Sequence, residues 1–205
     1  MNCDQNRGKH SGLVVALLLL MTTMGCSLLQ GGQASYRQTP GQAPPSTTSA
    51  TGDRPSIVLG TATGAPGQDV TLTATLRSAG TQVAGTQNDL TFDARNVSLG
   101  AGAKPSCRVN AAIGKGATAF SLLPRGCQGS ACTTVRALVF AVDNTDPIPD
   151  GAPLYTCTLH ISPSAAPGQY RIRVGGVILS SSSGQKVPNG PGGDGVLIVS
   201  GAKRQ

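Results

Sequence analysis

Between residues 70 and 77 the chain alternates without a break. Val70, Leu72, Ala74 and Leu76 fall on one side, Thr71, Thr73, Thr75 and Arg77 on the other. Successive side chains of an extended backbone leave opposite faces, so this period of two predicts a half-buried β-strand. No stretch of the chain sustains a 3.6-residue apolar period, which leaves sheets as the layers from which a core can be built. Further strands are expected at 56–59, 88–92, 97–99, 119–123, 154–161, 170–174 and 196–199. The run 135–142 is apolar on both sides and is expected to be a central strand covered on both faces. In 154–161 the apolar set is Tyr155, Cys157, Leu159 and Ile161, so Cys157 is expected to point inward. Phe92, Phe120, Phe140 and Tyr170 are expected to point inward as well. About nine short strands separated by Gly- and Pro-bearing turns predict an all-β fold, a two-sheet antiparallel β-sandwich of jelly-roll type.

The first 55 residues read differently. Arg7, Lys9 and His10 precede the apolar run Leu13 to Met21, the pattern of a secretion signal over 1–25. That run is too short to cross a bilayer, which takes about 20 apolar residues. Thr23-Met24-Gly25-Cys26 resembles a lipobox, with Gly25 in place and Thr23 where Leu is usual. Cys26 is thus a candidate lipidation site, against the alternative of an ordinary signal peptide cut near a cysteine. Ser27 stands where an inner-membrane retention Asp is often found, so an outer-membrane or cell-surface location is expected. Residues 30–55 are Gly, Gln, Ser, Thr and Pro with almost no large apolar side chain, so the segment 26–55 is expected to remain a disordered tether. The sandwich is then expected over 56–200, with a short tail at 201–205.

Four cysteines fall in the sandwich: Cys107, Cys127, Cys132 and Cys157. In an exported chain an even number reads as two disulfides, with three pairings open. The tight loop favours Cys127–Cys132, leaving Cys107–Cys157. Zinc is disfavoured, because an oxidising compartment removes thiolates and no Cys-x-x-Cys is present.

The chemistry of catalysis is sparse. The chain contains no Glu, so paired carboxylates would have to be Asp alone. Beyond the leader there is one histidine, His160, whose parity places it opposite Tyr155 and Cys157, on the surface. Asp143, Asp146 and Asp150 could supply oxygens to a weak calcium loop, but the turn-forming sequence around them favours self-capping. Gly190-Pro191-Gly192-Gly193-Asp194-Gly195 precedes a strand rather than a helix, so it is expected to be a flexible loop and not a phosphate cradle. The net charge is +7, carried on scattered residues without interleaved aromatics, which disfavours nucleic-acid binding. Trp is absent and aromatics are 3%, which disfavours a flat sugar-stacking platform.

The order of motifs adds a resemblance. An Ala65-Pro66-Gly67-Gln68 turn leads into the alternating strand, followed by Leu90-Thr91-Phe92-Asp93 with Val97 and Leu99. Phe140-Ala141-Val142 and Ile148-Pro149-Asp150-Gly151 come next. Leu154-Tyr155-Thr156-Cys157-Thr158-Leu159, Ala166-Pro167-Gly168-Gln169-Tyr170 and Gly195-Val196-Leu197-Ile198-Val199 complete the series. From residue 57 to about 199 this is similar to the cohesin family, in the superfamily of carbohydrate-binding jelly rolls. The resemblance implies a nine-stranded sandwich and a non-catalytic module that holds a dockerin, the calcium-loaded partner carried by a polysaccharide-degrading enzyme. It also implies partner-gripping positions near Gly85 and Gln87, where the Asn/Asp pair of cellulosomal cohesins is not matched. The four cysteines and the single module depart from the family too. Three functions are therefore weighed: protein docking, carbohydrate binding, and a structural envelope lipoprotein without a dedicated ligand.

Overall fold

The alternating segment becomes β3 (Asp69–Arg77), with Leu72, Ala74 and Leu76 buried and the threonines outward. It pairs with β1 (Ser56–Leu59) on one side and β9 (Pro153–Ile161) on the other, both antiparallel. Short strands β5 (Val97–Ser98) and β6 (Cys107–Val109) share the far side of β9 and complete a five-stranded sheet. The second sheet has seven strands. Its order is β2 (Thr61–Gly64), β12 (Gly195–Val199), β10 (Gly168–Ser180), β4 (Gly85–Thr91), β8 (Thr134–Val139) and β7 (Ala119–Leu123), with β11 (Lys186–Val187) also paired to β10. Only β2 and β12 pair in parallel among the named strands. This computed structural model describes residues 53–100 and 104–201; the leader, Cys26, nearly all of the expected tether and the end of the tail lie outside the described residues.

The architecture is the expected all-β sandwich, with twelve strands where about nine were expected. The additional ones, β2, β6 and β11, are two to four residues long, too short to print a period on the sequence. The core lies between the sheets, where Ile57, Leu72, Leu76, Leu90, Leu159, Ile172 and Leu197 are almost wholly buried. Each such side chain contributes roughly 1.5–3 kcal/mol.

Both disulfides are present, as Cys107–Cys157 and Cys127–Cys132. The first joins directly opposed residues of β6 and β9 and closes a long loop onto the core. The second closes the hairpin turn between β7 and β8. One polar pair bridges the sheets inside the core. Asn88 of β4 donates from Nδ2 to Tyr155 Oη at 2.7 Å, and that hydroxyl lies 3.0 Å from Asn88 Oδ1, to which it can donate.

Three expectations need correction. The run 135–142 is not covered on both faces: in β8 Val135, Ala137 and Val139 are buried, while Arg136 and Leu138 face solvent. Phe140 is half-buried and does not join the core, whereas Phe120 and Tyr170, though only half-buried, pack against it as expected, and the Tyr170 hydroxyl donates to Ala166 O at 2.7 Å. The glycine-rich run 190–195 is a packed clasp, not a loose loop. Gly193 N donates to Ile57 O and its carbonyl accepts from Leu59 N, while a Cβ on Gly193 would sit 2.7 Å from Val58 Cγ1. Glycine is needed there because β1 approaches too closely for any side chain.

Candidate functional site

The open outer face of β10, β4, β8 and β7 carries two of the three large hydrophobic side chains exposed among the described residues. Strand register arranges its outward side chains in rows. One row is Ile178, Gln87, Leu138 and Ala119; the next is Gly175, Asp89, Arg136 and Ser121; the third is Arg173, Thr91, Thr134 and Leu123. Leu138 is 37% exposed and Ile178 is 45% exposed. They flank Gln87 above a shallow hollow of ≈ 330 Å³ whose wall includes Gly85, Phe140 and Ser180. Of the two positions expected from the resemblance, Gln87 lies between the two aliphatics and Gly85 forms buried floor.

A β-bulge puts Ile178 there. Between Asp89 and Gln87 β4 has one intervening residue, whereas between Gly175 and Ile178 β10 has two. The extra residue reverses the parity of the strand, so Leu179 turns inward and Ile178 outward. Gly176, at φ 57°, sits in the bulge, and a Cβ there would lie 3.0 Å from Asp89 Oδ2. The bulge thereby leaves room for the carboxylate.

The middle row is neutralised. Arg136 Nε and Nη2 donate to Asp89 Oδ1 and Oδ2, each at 2.7 Å, and the carboxylate holds the guanidinium pKa above its ordinary value. Such two-point pairs fix geometry as well as charge. At the border of the face Asp194 accepts from Arg171 Nε and, at 2.7 Å, from Val174 N. Arg173 is exposed and makes no ion pair among the described residues.

The other residues singled out in the sequence lie elsewhere. His160 is on the outer face of the five-stranded sheet, with Nδ1 2.7 Å from Asp69 Oδ1. Ser98 is its cross-strand neighbour, yet no hydrogen bond joins the serine hydroxyl to the ring among the described residues. Asp150 does not turn toward Asp143 and Asp146: it accepts from Ser78 N at 2.6 Å and from Ser78 Oγ at 2.9 Å, which lowers its pKa below the carboxylate norm. In the loop between them the cation is a lysine. Lys115 is 2% exposed, and its Nζ donates to Asn144 O and Asp146 O at 2.8 Å each, while burial lowers its pKa. Among the described residues no three His, Cys, Asp or Glu side chains are grouped to hold a metal ion.

Sequence reasoning missed Leu138 and Ile178. The run 135–142, apolar but for Arg136, reads as a strand covered on both faces, and Arg136, its second residue, was the signal that one face is open. A bulge within β10 leaves no periodic trace beyond the Gly175-Gly176 pair.

No protein-family model and no curated protein matches the sequence. Solved structures do match, and they are cohesins. A cohesin–dockerin complex containing the cohesin CaCohA2, from Clostridium acetobutylicum, aligns with a TM-score of 0.58 at 16% identity, over 71% of this chain and 99% of the other. A type I cohesin–dockerin complex from Clostridium thermocellum gives 0.58 at 9% identity, over 72% and 99%. A non-cellulosomal cohesin from the hyperthermophilic archaeon Archaeoglobus fulgidus gives 0.54 at 10% identity, over 73% and 94%. The two-sheet sandwich with its open β10–β4–β8–β7 face is therefore a cohesin fold.

Proposed function

We propose that this domain is a non-catalytic protein-docking module whose partner, of dockerin kind, seats on the outer face of β10, β4, β8 and β7. The observation that carries the reading is the pair of exposed aliphatics, Leu138 and Ile178, set on a rigid sheet around a shallow apolar hollow. Solvent-facing sheet positions are ordinarily polar, and exposed apolar side chains grouped beside polar neighbours favour contact with another surface. The neighbouring cohesins crystallised with dockerins support the same reading. Carbohydrate binding is less well supported, because among the described residues no aromatic side chain is exposed to stack on a sugar. An anchor at Cys26 followed by a tether over 26–55 would display the module at the cell surface; radiolabelled palmitate incorporated by the natural chain but not by Cys26→Ala would support that arrangement.

The test is binding of calcium-loaded dockerins, with and without chelator, to the natural domain and to Leu138→Asp and Ile178→Asp. Both substitutions are at exposed positions, so melting temperature should change little. Affinity should fall by about 30-fold or more, as for a central interface anchor. Binding that survives both substitutions intact would place the partner elsewhere.

A further inference from the structure

The charges on the docking face are unequally committed. Asp89 is engaged at both oxygens by Arg136. Asp194, at the border, is engaged at both oxygens by Arg171 and the Val174 amide. Arg173, opposite Thr91 in the third row, is exposed and forms no ion pair among the described residues. A cation arriving on this face meets only carboxylates that would first have to release a partner. A carboxylate arriving there meets a free guanidinium, with Thr91 and Thr134 beside it, their hydroxyls 3.3 Å apart.

We infer that the partner is acidic where it contacts Arg173: it presents an aliphatic side chain to the Leu138–Ile178 hollow and a carboxylate about 13 Å away, and Arg173 sets that specificity. The separation follows from the four residue steps from Gln87 to Thr91 along β4, at about 3.3 Å each. This inference rests on the docking reading, and it adds the sign and the position of the partner's charge. Charged contacts at an interface's rim chiefly select partners and steer their approach, and they are sensitive to salt.

The experiment uses the full chain, as the natural protein, Arg173→Glu and Arg108→Glu, against a panel of calcium-loaded dockerins ranging from acidic to basic. Arg108 is exposed on β6 of the opposite sheet, so its reversal changes net charge equally without touching the docking face. Acidic dockerins should bind the natural chain about three- to tenfold more tightly than Arg173→Glu. Added salt should shrink that difference, basic dockerins should favour Arg173→Glu, and Arg108→Glu should match the natural chain. Equal effects of the two reversals, or binding indifferent to dockerin charge, would overturn the inference while leaving docking intact. Failure of every dockerin to bind would remove the docking reading itself, and this inference with it.

Discussion

Replacing Tyr155 by Phe removes one oxygen from the middle of the core and leaves the ring in place, edge-on to Phe120 at 5.3 Å between centroids. The consequence falls on Asn88, which is wholly buried and whose side-chain amide is paired with that hydroxyl. Burial holds the Tyr155 phenol pKa above its ordinary 10.0, so the hydroxyl stays protonated and able to donate under any mild condition. Losing the bond strands a buried amide, which costs about 1–3 kcal/mol. Tyr155→Phe is therefore expected to cost about 2 kcal/mol. Asn88→Val, which strands the hydroxyl instead, should cost a similar ~2 kcal/mol. The double variant places two apolar groups face to face and should cost only about 1 kcal/mol, giving a coupling energy of about 3 kcal/mol. The assay is urea unfolding with disulfides intact, supported by melting temperatures that should drop about 4–8 °C for either single variant. Additive losses in the double variant would refute the reasoning, since the two groups would then not be serving each other.

Two further outcomes follow from covalent and acid–base features. Converting Cys107 and Cys157 together to Ser should cost about 4 kcal/mol, and the Cys127/Cys132 pair about 2 kcal/mol, on a loop-closure account. The sequence separations are 50 and 5 residues, and urea midpoints of the two double variants compare them directly. Asp150 has a pKa lowered from 3.8 by its bonds to Ser78. Its contribution is therefore fully present above the unfolded value and is lost as pH falls from there through the lower folded value. Asp150→Asn should accordingly melt below the natural protein at neutral pH, with the gap closing as pH falls below 3.8; a gap independent of pH would show that charge on Asp150 is irrelevant.

The parts of the fold that the sequence announced are those with one wet face and enough length. β3 alternates along its nine residues and β9 from Tyr155 to Ile161, so their parity, and with it the inward Cys157, could be read directly. The Cys127–Cys132 pairing followed from a loop too tight for much else. β2, β6 and β11 could not be read, because two to four residues hold no period. The candidate site was largely hidden for a related reason. β8 carries Thr134, Arg136 and Leu138 on its open face, so Arg136 alone hints that Leu138 is outward, while β10 changes parity at a bulge, so Ile178 is not marked as outward by pattern. What separates an exposed aliphatic from a core one is the partner strand, and pairing across sequence distance is not written locally.

The clasp made by the glycine run has a mechanical consequence. The first described segment, from Pro55 through Gly64, runs beside the last, from Gly190 to Ser200, in the same direction throughout. Gly190 N donates to Pro55 O, Gly193 bonds Ile57 and Leu59, β2 pairs in parallel with β12, and Ser200 N donates to Gly64 O. The two segments therefore enter and leave the domain at opposite ends of a shared track. Tension applied between those ends would drag the strands past one another in shear, loading the whole row of hydrogen bonds together. An antiparallel pair pulled from one end would instead unzip bond by bond. The sandwich should therefore resist tension between those two ends better than it would if its terminal strands were antiparallel.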